Sequence, residues 1–256
     1  MNAPARRVLA VASGKGGVGK STLTLNLALA LAARGAQVGV LDADLYGPDI
    51  PLMVGLARTE RARELSLWRL GRPISLPPVE VHGLRLMSIG FLLGEDQAVA
   101  LPSMSVEPIL RQLVTETEWG ELDYLVVDLP PGTGDVQQQL VRMLRLDGAV
   151  VVVGPQDVSH LDAKRLLELF SDGGIRVLGG VENMAALVCP HCGESISVFG
   201  EVPEARSIWS LGVRRLGSIP LDPAVAGNRP VLLAAPESAP GLAITGVAQA
   251  IAEALE

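Results

Sequence analysis

A glycine-rich segment that joins an apolar run to a helix-forming run constrains the fold of this chain more than any other feature. Residues 13–22 read Ser-Gly-Lys-Gly-Gly-Val-Gly-Lys-Ser-Thr and contain the pattern Gly-x-x-x-x-Gly-Lys-Ser. The largely apolar run Arg7–Ala12 before it is typical of a strand, and Leu23–Ala33 after it is rich in Ala and Leu, which favour helix. A strand, a glycine loop and a helix in this order predict a loop whose N–H groups surround a polyphosphate.

The pattern predicts a role for each residue of this phosphate loop (residues 14–21). Lys20 is expected to reach the β- and γ-phosphates of a nucleotide, and Ser21 is expected to bind Mg²⁺. The residues predicted to bind the nucleotide are Gly14, Lys15, Gly16, Gly17, Val18, Gly19, Lys20, Ser21 and Thr22. A glycine-rich turn without a ligand is the alternative, which the flanking strand and helix patterns disfavour.

A second lysine in the loop, Lys15, is the next most informative residue. The chain contains only three lysines, and two of them, Lys15 and Lys20, lie in this loop. Two ammonium groups so close repel each other unless an anion lies between them. The sequence therefore favours Lys15 as a phosphate ligand, with a nucleotide held by a neighbouring subunit as one candidate, over a solvated charge at a turn.

Short apolar runs alternate with helical patterns along the rest of the chain. The further predicted strands are Val38–Leu41, Leu84–Ile89, Leu122–Val127, Ala149–Val153, Ile175–Val181 and Val213–Ile219, and the further predicted helices are 105–117, 135–145, 159–171, 203–211 and 240–255. This alternation predicts an α/β fold, a three-layer phosphate-loop domain with a mostly parallel central sheet flanked by helices. Residues 57–82 are rich in Arg, Pro and Gly and are interpreted as a loop or a small hairpin.

The length and composition of the chain limit the number of its domains and the kinds of partner that it can bind. The 256 residues fit a single domain, 1–256, with an inserted cysteine-bearing loop at about 185–200. Apolar residues make up 48% of the chain, but no run approaches the ~20 residues of a membrane span, and there is no charged-then-apolar leader. The net charge of −7 argues against binding to nucleic acids or anionic membranes. A cytoplasmic protein is therefore expected.

Three carboxylates at strand ends are candidates for holding a metal ion or a reacting water. Asp128 follows the apolar run Leu125–Val127, like the acid of the second nucleotide-binding motif, which holds Mg²⁺ through water. Asp42 and Asp44 end the strand after the phosphate-loop helix, where a carboxylate can orient attacking water or hold the metal shell. The loop Leu129–Asp135 has the composition of a γ-phosphate switch. A helix cap or a simple turn acid is the alternative for these carboxylates.

The two cysteines of the chain, Cys189 and Cys192, lie in the segment Cys-Pro-His-Cys-Gly. Two thiolates at this spacing can chelate a metal, and a four-thiolate site needs two further ligands, which a second copy of the chain would supply. Zinc and a [4Fe–4S] cluster both accept four thiolates, and a redox-active pair or inert thiols are further alternatives. His191 is interpreted as a bystander, and His82 and His160 as surface or cap residues.

Seven other segments, together with the phosphate loop, resemble one family. They are Leu-Asp-Ala-Asp-Leu-Tyr-Gly-Pro (41–48), Met-Ser-Ile-Gly-Phe (87–91), Val-Asp-Leu-Pro-Pro-Gly-Thr-Gly-Asp (127–135), Pro-Gln-Asp-Val (155–158), Val-Glu-Asn-Met (181–184), Cys-Pro-His-Cys-Gly (189–193) and Ile-Pro-Leu-Asp-Pro (219–223). The combination resembles the Mrp/ApbC family of iron–sulfur cluster carrier ATPases, relatives of MinD, ParA and the nitrogenase iron protein. The resemblance extends from about residue 7 to the C-terminus.

The resemblance implies roles that spacing alone does not give. It implies a homodimer in which two ATP sites face each other and Lys15 reaches the partner's nucleotide. It makes Asp44 the water-orienting acid, so that Lys15, Lys20 and Asp44 are the catalytic residues. It implies that Ser21, Asp42 and Asp128 lie at Mg²⁺, that Asn183 contacts adenine, and that the segment after Ile219 flanks the base.

As a function, the resemblance implies an ATP-dependent carrier of a labile [4Fe–4S] cluster. Cys189 and Cys192 of two chains would hold the cluster, and the partners would be apo iron–sulfur proteins and cluster-assembly scaffold proteins. The alternatives are a spatial-organisation ATPase of the ParA/MinD kind, an electron donor like the nitrogenase iron protein, and an ATPase with a dimer-bridging structural zinc. Residues 240–256 lack basic side chains, which disfavours a membrane or DNA role.

Two departures from the family pattern are visible. Ala98–Ser103 stands where family members carry Trp-Arg-Gly-Pro, so an arginine expected near the dimer face is absent. The stretch between Asp222 and Arg229 is also shorter than usual.

Overall fold

Strands and helices alternate along the described chain. The computed structural model describes residues 4–45, 47–56, 76–91, 103–189, 191–200, 202–223 and 229–255. The strands are β1 Arg7–Ser13, β2 Val38–Asp42, β3 Val79–Val81, β4 Leu84–Ser88, β5 Tyr124–Asp128, β6 Gly148–Val153, β7 Val177–Val188, β8 Ser195–Ile196 and β9 Arg215–Leu221. The α-helices are α1 Lys20–Ala33, α2 Ile50–Met53, α3 Ser103–Thr115, α4 Asp135–Met143, α5 Asp157–Asp172, α6 Val231–Ala234 and α7 Ala239–Leu255, and 3₁₀ helices lie at Ile89–Phe91, Glu204–Arg206 and Trp209–Leu211.

The strands of the described ranges form one mostly parallel sheet. Its order is β3-β4-β2-β5-β1-β6-β7-β8, and β9 also pairs with β7. Only the β3–β4 and β7–β8 pairs are antiparallel in these ranges. Asp42 of β2 lies in register with Asp128 of β5, which in turn lies beside Val11 of β1. The carboxyl ends of three neighbouring strands therefore meet at one edge, where ligands bind in open α/β sheets.

The core lies around β1 and α1. The residues of β1 from Val8 to Ala12 are almost completely buried, and so are the side chains of α1 from Leu23 to Leu31. A helix that is apolar on all sides is stable only inside the protein, and α1 packs between the sheet and α7. The helix α5 also packs against the sheet, at β6 and β1. These layers confirm the predicted α/β fold, and no helix in the described ranges is long and apolar enough to cross a membrane.

Three expectations about local structure need correction or completion. The predicted helix 203–211 is instead two 3₁₀ helices, because Ser207 between them is extended and its hydroxyl donates to the carbonyl of Glu204. The predicted strand Ile175–Val181 continues as β7 to Val188. Within 57–82, β3 forms a hairpin with β4, whereas residues 57–75 lie outside the described residues, as do Tyr46, residues 98–102 and Pro190.

The expectation that His160 is a surface or cap residue is wrong. His160, in the first turn of α5, is completely buried, and its Nδ1 accepts the N–H of Ile208. Its ring meets Trp209 edge to face, with 5.9 Å between the ring centroids. Burial lowers the pKa of His160, so the neutral ring is favoured at this structural contact. His82 is exposed, as expected, in the turn between β3 and β4.

Candidate functional site

The phosphate loop fits tightly between β7 and α5. Gly19, directly before α1, has a φ of 83°, a left-handed conformation that glycine adopts without strain. A side chain at Gly19 would also collide with the amide of Asn183 on β7. Gly14, at the other end of the loop, approaches the backbone of α5 at Asp162 and Ala163 so closely that no Cβ fits. Close contacts therefore favour glycine at both ends of the loop, and at Gly19 the left-handed backbone favours it as well.

A cavity of about 420 Å³ opens beside the loop and is large enough for a small-molecule ligand. Its walls are Ser13, Gly16, Gly17, Gly19, Lys20, Ser21, Thr22, Asp44, Gly47, Asp49, Met53 and Pro131. Most of the residues predicted to bind a nucleotide thus line one cavity. Gly14, Lys15 and Val18 lie outside its walls, with Val18 buried and Lys15 half-buried. Pro131 belongs to the predicted switch loop Leu129–Asp135, so this loop forms part of the cavity wall.

Lys20 joins two carboxylates at the floor of the cavity. Its Nζ lies 2.8 Å from Asp128 Oδ2 and 3.5 Å from Asp44 Oδ2, and only 6% of its side chain is exposed. The hydroxyl of Ser21 donates to the same Oδ2 of Asp128 at 2.6 Å. Ion pairs are stronger where water is excluded. The structure therefore gathers an ammonium, a hydroxyl and two carboxylates where the sequence predicts phosphate and Mg²⁺ ligands.

Asp42 lies behind this group and is completely buried. Its Oδ2 accepts the hydroxyl hydrogen of Ser88 at 2.8 Å, and its Oδ1 accepts the N–H of Asp44 at 3.3 Å. Burial, and after it the neighbouring charge of Asp128, raises the pKa of Asp42 well above its usual range. Asp42 thus lies next to Asp128 but is not part of the cavity wall.

Two hydroxyl residues that the sequence analysis missed orient these carboxylates. Thr24 Oγ1 lies 2.7 Å from Asp128 Oδ1, so each oxygen of that carboxylate has a hydroxyl donor. Ser88 holds Asp42 and in turn accepts the N–H of Gly90 at 2.9 Å. Residues three apart share a helix face, so the placement of Thr24 three residues after Ser21 was an available signal. For Ser88 the available signals were its position near the end of a predicted strand and within the family-like segment 87–91.

Lys15 lies on the outer side of the loop, away from Lys20. Its Nζ lies 3.4 Å from Oε1 of Gln156, the residue before α5, and the contact is exposed. The Ser13 hydroxyl donates to the carbonyl of Lys15 at 2.9 Å, which fixes the backbone of the loop. The two lysines of the loop therefore point to different regions, and an anion bound by both is not required within one chain.

Asn183 connects the phosphate loop to β7. Its Nδ2 donates to the carbonyl of Val18 at 2.9 Å. The next residue, Met184, has a φ of 59°, an uncommon conformation for a residue with a side chain, where the pairing of β7 with β9 shifts register. The structure thus places Asn183 against the phosphate loop, and its expected contact with adenine stays a prediction.

The cysteine pair lies at the far end of the same strand. Cys189 follows Val188, the last residue of β7, and β8 returns antiparallel beside it. The turn is closed by hydrogen bonds from the Cys189 N–H to the Glu194 carbonyl and from the Gly193 N–H to the Cys189 carbonyl, both 2.9 Å. Both thiols are free, Cys189 half-buried and Cys192 exposed.

The surroundings of Cys189 favour its thiolate. Backbone N–H groups of Cys192 and His191, and then the Cys192 thiol, donate hydrogen bonds that lower the pKa of Cys189. A thiolate is the form that binds metals. Within the described residues, no group of three or more His, Cys, Asp or Glu side chains is arranged to hold a metal ion. The pair therefore offers two ligands, and the described part of this chain does not complete a four-ligand set around it.

Several known proteins are similar to this chain, some in sequence and some in solved structure. The iron–sulfur cluster carrier protein of Aquifex aeolicus is 41% identical over 98% of this chain and 68% of its own length. An iron–sulfur protein of Arabidopsis thaliana mitochondria, required for NADH dehydrogenase, is 38% identical over 97% of this chain and 79% of its own length. A solved nucleotide-binding protein of Archaeoglobus fulgidus, in complex with ADP, is 31% identical, with a TM-score of 0.68 over 96% of this chain and 88% of its own.

A cell-division ATPase, MinD of Pyrococcus furiosus, has the same fold, with a TM-score of 0.65 over 96% of this chain and 98% of its own length, at 24% identity. The family described as ParA, the NUBPL iron-transfer P-loop NTPases, matches residues 4–253. This match spans β1, the phosphate loop, all three carboxylates and the cysteine pair. It confirms the resemblance seen in the sequence, and the chain belongs to the NUBPL iron-transfer P-loop NTPase family.

Proposed function

We propose that this protein is an ATP-dependent iron–sulfur cluster carrier. Two copies would hold one labile [4Fe–4S] cluster through Cys189 and Cys192 and deliver it to apo iron–sulfur proteins, after receiving it from cluster-assembly scaffold proteins. The names of the similar proteins support the carrier role. The single observation that carries the proposal is β7, which bears the thiol pair at its end and Asn183, bonded to the phosphate loop, in its middle.

The nucleotide site of this proposal uses the residues around the cavity. Lys20 would bind the β- and γ-phosphates and leave its present carboxylate partners to do so. The Ser21 hydroxyl and the Asp128 carboxylate are hydrogen-bonded to each other and are oxygen donors of the kind that Mg²⁺ prefers, so they fit that ion. Asp42, beside Asp128 in the sheet, is proposed to support the metal shell from behind the cavity wall. Bound there, Mg²⁺ would neutralise phosphate charge.

Asp44 is proposed to orient the attacking water. It lines the cavity, and its Oδ2 lies 3.5 Å from Lys20 Nζ, so its carboxylate is next to the expected γ-phosphate position. Asp42 is less suited to this role because it is completely buried behind the cavity and bonded to Ser88. Asn183 is proposed to contact the adenine base, and the segment after Ile219 to flank it.

The remaining parts of the proposal concern organisation and location. We propose a single domain, residues 1–256, in which the cysteine loop at about 185–200 is an insertion. A cytoplasmic location without membrane or nucleic-acid partners agrees with the net charge of −7. A spatial-organisation ATPase is disfavoured, because α7 carries no basic residue for an anionic surface.

A dimer-bridging structural zinc is the second candidate for the thiol pair. It is favoured by the same observation as the cluster, since four thiolates from two chains also form a closed tetrahedral zinc site. The exposed position of Cys192 suits a site from which a cluster must leave better than it suits a permanent structural ion. Both candidates use the same four thiolates.

Anaerobic reconstitution with iron and sulfide tests the proposal. We expect visible absorbance of a cluster and about four irons and four sulfides per two chains, because each chain offers two thiolates. Transfer is then measured as activation of an apo iron–sulfur enzyme, with and without Mg²⁺–ATP. Binding of zinc alone under strictly anaerobic conditions, or one four-iron cluster on each monomer, contradicts the proposal.

Removal of the Thr24 hydroxyl is predicted to weaken Mg²⁺ use. In Thr24→Val the side chain keeps its shape, but Asp128 Oδ1 loses its donor at 2.7 Å. Hydrogen bonds to charged groups are worth ~1.5–3 kcal/mol, so we expect about a tenfold or larger rise in the Mg²⁺ concentration for half-maximal ATP turnover. The control Thr24→Ser keeps the hydroxyl and should match the wild type. Identical Mg²⁺ curves for Thr24→Val and the wild type refute this role.

Lys15 is predicted to act on the nucleotide of the partner chain. Lys15→Ala should bind nucleotide as a monomer like the wild type, because Lys15 lies outside the cavity walls, but should lose most ATP turnover. In a mixed dimer of Lys15→Ala and Lys20→Ala chains, the Lys15→Ala chain keeps Lys20 and the other chain keeps Lys15. If Lys15 acts on the partner's nucleotide, these two lysines meet at one complete site, and the second site has neither. Partial recovery of turnover on mixing is therefore expected. If tagged chains prove that mixed dimers form and no activity returns, Lys15 acts within its own chain.

A further inference from the structure

A second cavity, of about 470 Å³, lies between β7 and the segment that follows the cysteine pair. We call it the side cavity. Its walls include Glu182 of β7 and, beginning at Ser197, five residues after Cys192, side chains of that segment as far as Glu204. It shares no wall residue with the cavity beside the phosphate loop, to which β7 is joined through the next residue, Asn183. The side cavity is therefore a separate site close in sequence to the proposed cluster ligands, with a volume in the range of ligand-binding cavities.

The walls of the side cavity carry more acid than base. Glu182 and Glu204 line it, and the basic residue among its described walls is Arg215. The charge of Arg215 is already partnered, because its Nη1 lies 3.6 Å from Glu182 Oε2 and its guanidinium lies over the ring of Trp209, 4.5 Å from the centroid. Glu204 is exposed, and within the described parts of the chain it forms no ion pair. One carboxylate of the side cavity is thus left for a ligand.

The neighbouring cations are bound elsewhere. Arg206 Nη1 lies 2.8 Å from Asp157 Oδ2, and Lys164 Nζ donates to the carbonyl of Ala205 at 3.2 Å. Both contacts hold the segment to α5, and neither cation lines the side cavity. Residues 183–205, which include the cysteine pair, contain three glutamates and no lysine or arginine. The segment therefore offers no cation of its own to the acid of the side cavity.

Apolar side chains surround this acid. Phe199 and Trp209 are half-buried walls of the side cavity. Ile196 and Val198, on the same segment as Phe199, are 45% and 50% exposed. Aromatic rings and carboxylates both attract organic cations, and they do so more strongly where water is partly excluded. A charged group on an apolar stem, as in a lysine or arginine side chain, matches these walls, whereas an anion would be repelled by Glu204.

We propose that the side cavity receives a lysine or arginine side chain of the protein to which the cluster is delivered. The occupant belongs to a protein and is not a free cation, because the exposed Ile196 and Val198 extend the contact surface beyond the cavity, and exposed apolar groups rimmed by charge are typical of protein interfaces. This inference rests on the proposed function. It adds the chemistry of the partner, which is a basic side chain among apolar ones, presented beside the site that takes up the cluster.

Fluorescence anisotropy with a labelled peptide tests the cation preference on the cluster-free full chain. The probe is Gly-Leu-Arg-Leu-Gly with blocked ends, and its control carries citrulline in place of arginine, which keeps the shape and removes the charge. The wild type should bind the arginine peptide about fivefold or more tightly than the control, since the contact is charge-assisted but half-open to water. Glu204→Lys should lose this preference. Glu237→Lys makes the same change in net charge at an exposed residue outside the side cavity and should keep it.

Cluster transfer tests the role of the partner. Glu204→Lys should load iron and sulfide and hydrolyse ATP like the wild type, because Glu204 provides no thiol and lies outside the cavity beside the phosphate loop. Its second-order rate constant for transfer to an apo [4Fe–4S] enzyme should be about tenfold lower at low salt, and the difference should shrink as the salt concentration rises. Glu237→Lys should transfer like the wild type.

Several outcomes would overturn the inference and leave the carrier proposal standing. They are equal binding of the two peptides by the wild type, and transfer by Glu204→Lys at the wild-type rate. Binding of free agmatine as tightly as the arginine peptide would assign the side cavity to a small cation, and loss of self-association in Glu204→Lys, measured by sedimentation velocity, would assign it to a second copy of this chain. A wild type that binds the arginine peptide but transfers no cluster overturns the proposed function and not the cation site.

Discussion

Lys20→Ala is expected to lower ATP turnover about a hundredfold or more and to weaken nucleotide binding. Removing one preorganised donor to developing negative charge typically costs ~10²–10³ in kcat. Here the effect has a second source in the structure. Lys20 Nζ lies 2.8 Å from Asp128 and 3.5 Å from Asp44, so the variant leaves both carboxylates facing the incoming phosphates without this ammonium. The measurement is steady-state ATP hydrolysis together with binding of a fluorescent ATP analogue.

The chain offers a matched control, because it has only three lysines. Lys164→Ala removes the same charge and the same side chain, but Lys164 Nζ donates to a backbone carbonyl, that of Ala205, at an exposed contact away from the cavity beside the phosphate loop. We expect wild-type turnover and binding from this control. Equal loss in both variants would show a general effect of charge or folding, and unchanged turnover in Lys20→Ala would refute the nucleotide site.

The fold was predictable because most strands are continuous apolar runs. Val38–Leu41 and Ala149–Val153 needed only one further residue each to become β2 and β6. Prediction fell short for β7, because the part of this strand beyond Val181 begins with Glu182 and Asn183 and does not resemble a buried strand. That part is held by pairing with β9 and β8. Pairing partners lie far away in sequence, so local apolar patterns do not reveal them.

The candidate site was likewise predictable where its residues are consecutive in sequence and not where they are far apart. The phosphate loop was predictable because its residues are consecutive and form one short pattern, in which Gly17 and Gly19 have the positive φ that glycine adopts without strain. The bond from Thr24 to Asp128 joins residues 104 apart, and the bond from Ser88 to Asp42 joins residues 46 apart. No short motif contains both members of either pair. His160 was misplaced for the same reason, since its partner Ile208 lies 48 residues away.

Loss of either cysteine is predicted to abolish cluster loading while the fold and the nucleotide site remain intact. Cys189→Ala and Cys192→Ala each remove two of four thiolates from a symmetric dimer, and two thiolates do not hold a four-iron cluster. The cysteines lie in a turn after β7, outside the apolar core, so the sheet does not depend on them. We expect less than about a tenth of the wild-type iron and sulfide after anaerobic reconstitution. Thermal unfolding and ADP binding should be unchanged.

His191→Ala is the control for this prediction, because it alters an exposed residue of the same turn without removing a thiol. It should load iron and sulfide like the wild type if His191 is a bystander.

The two cysteines differ in their surroundings, since N–H donors lower the pKa of Cys189. Serine in place of Cys189 keeps the turn but provides a poor ligand for iron, so Cys189→Ser should fail to load as Cys189→Ala does. A chain that retains a full cluster after either alanine substitution would have ligands other than these two thiols, and the dimer-bridging arrangement would be wrong.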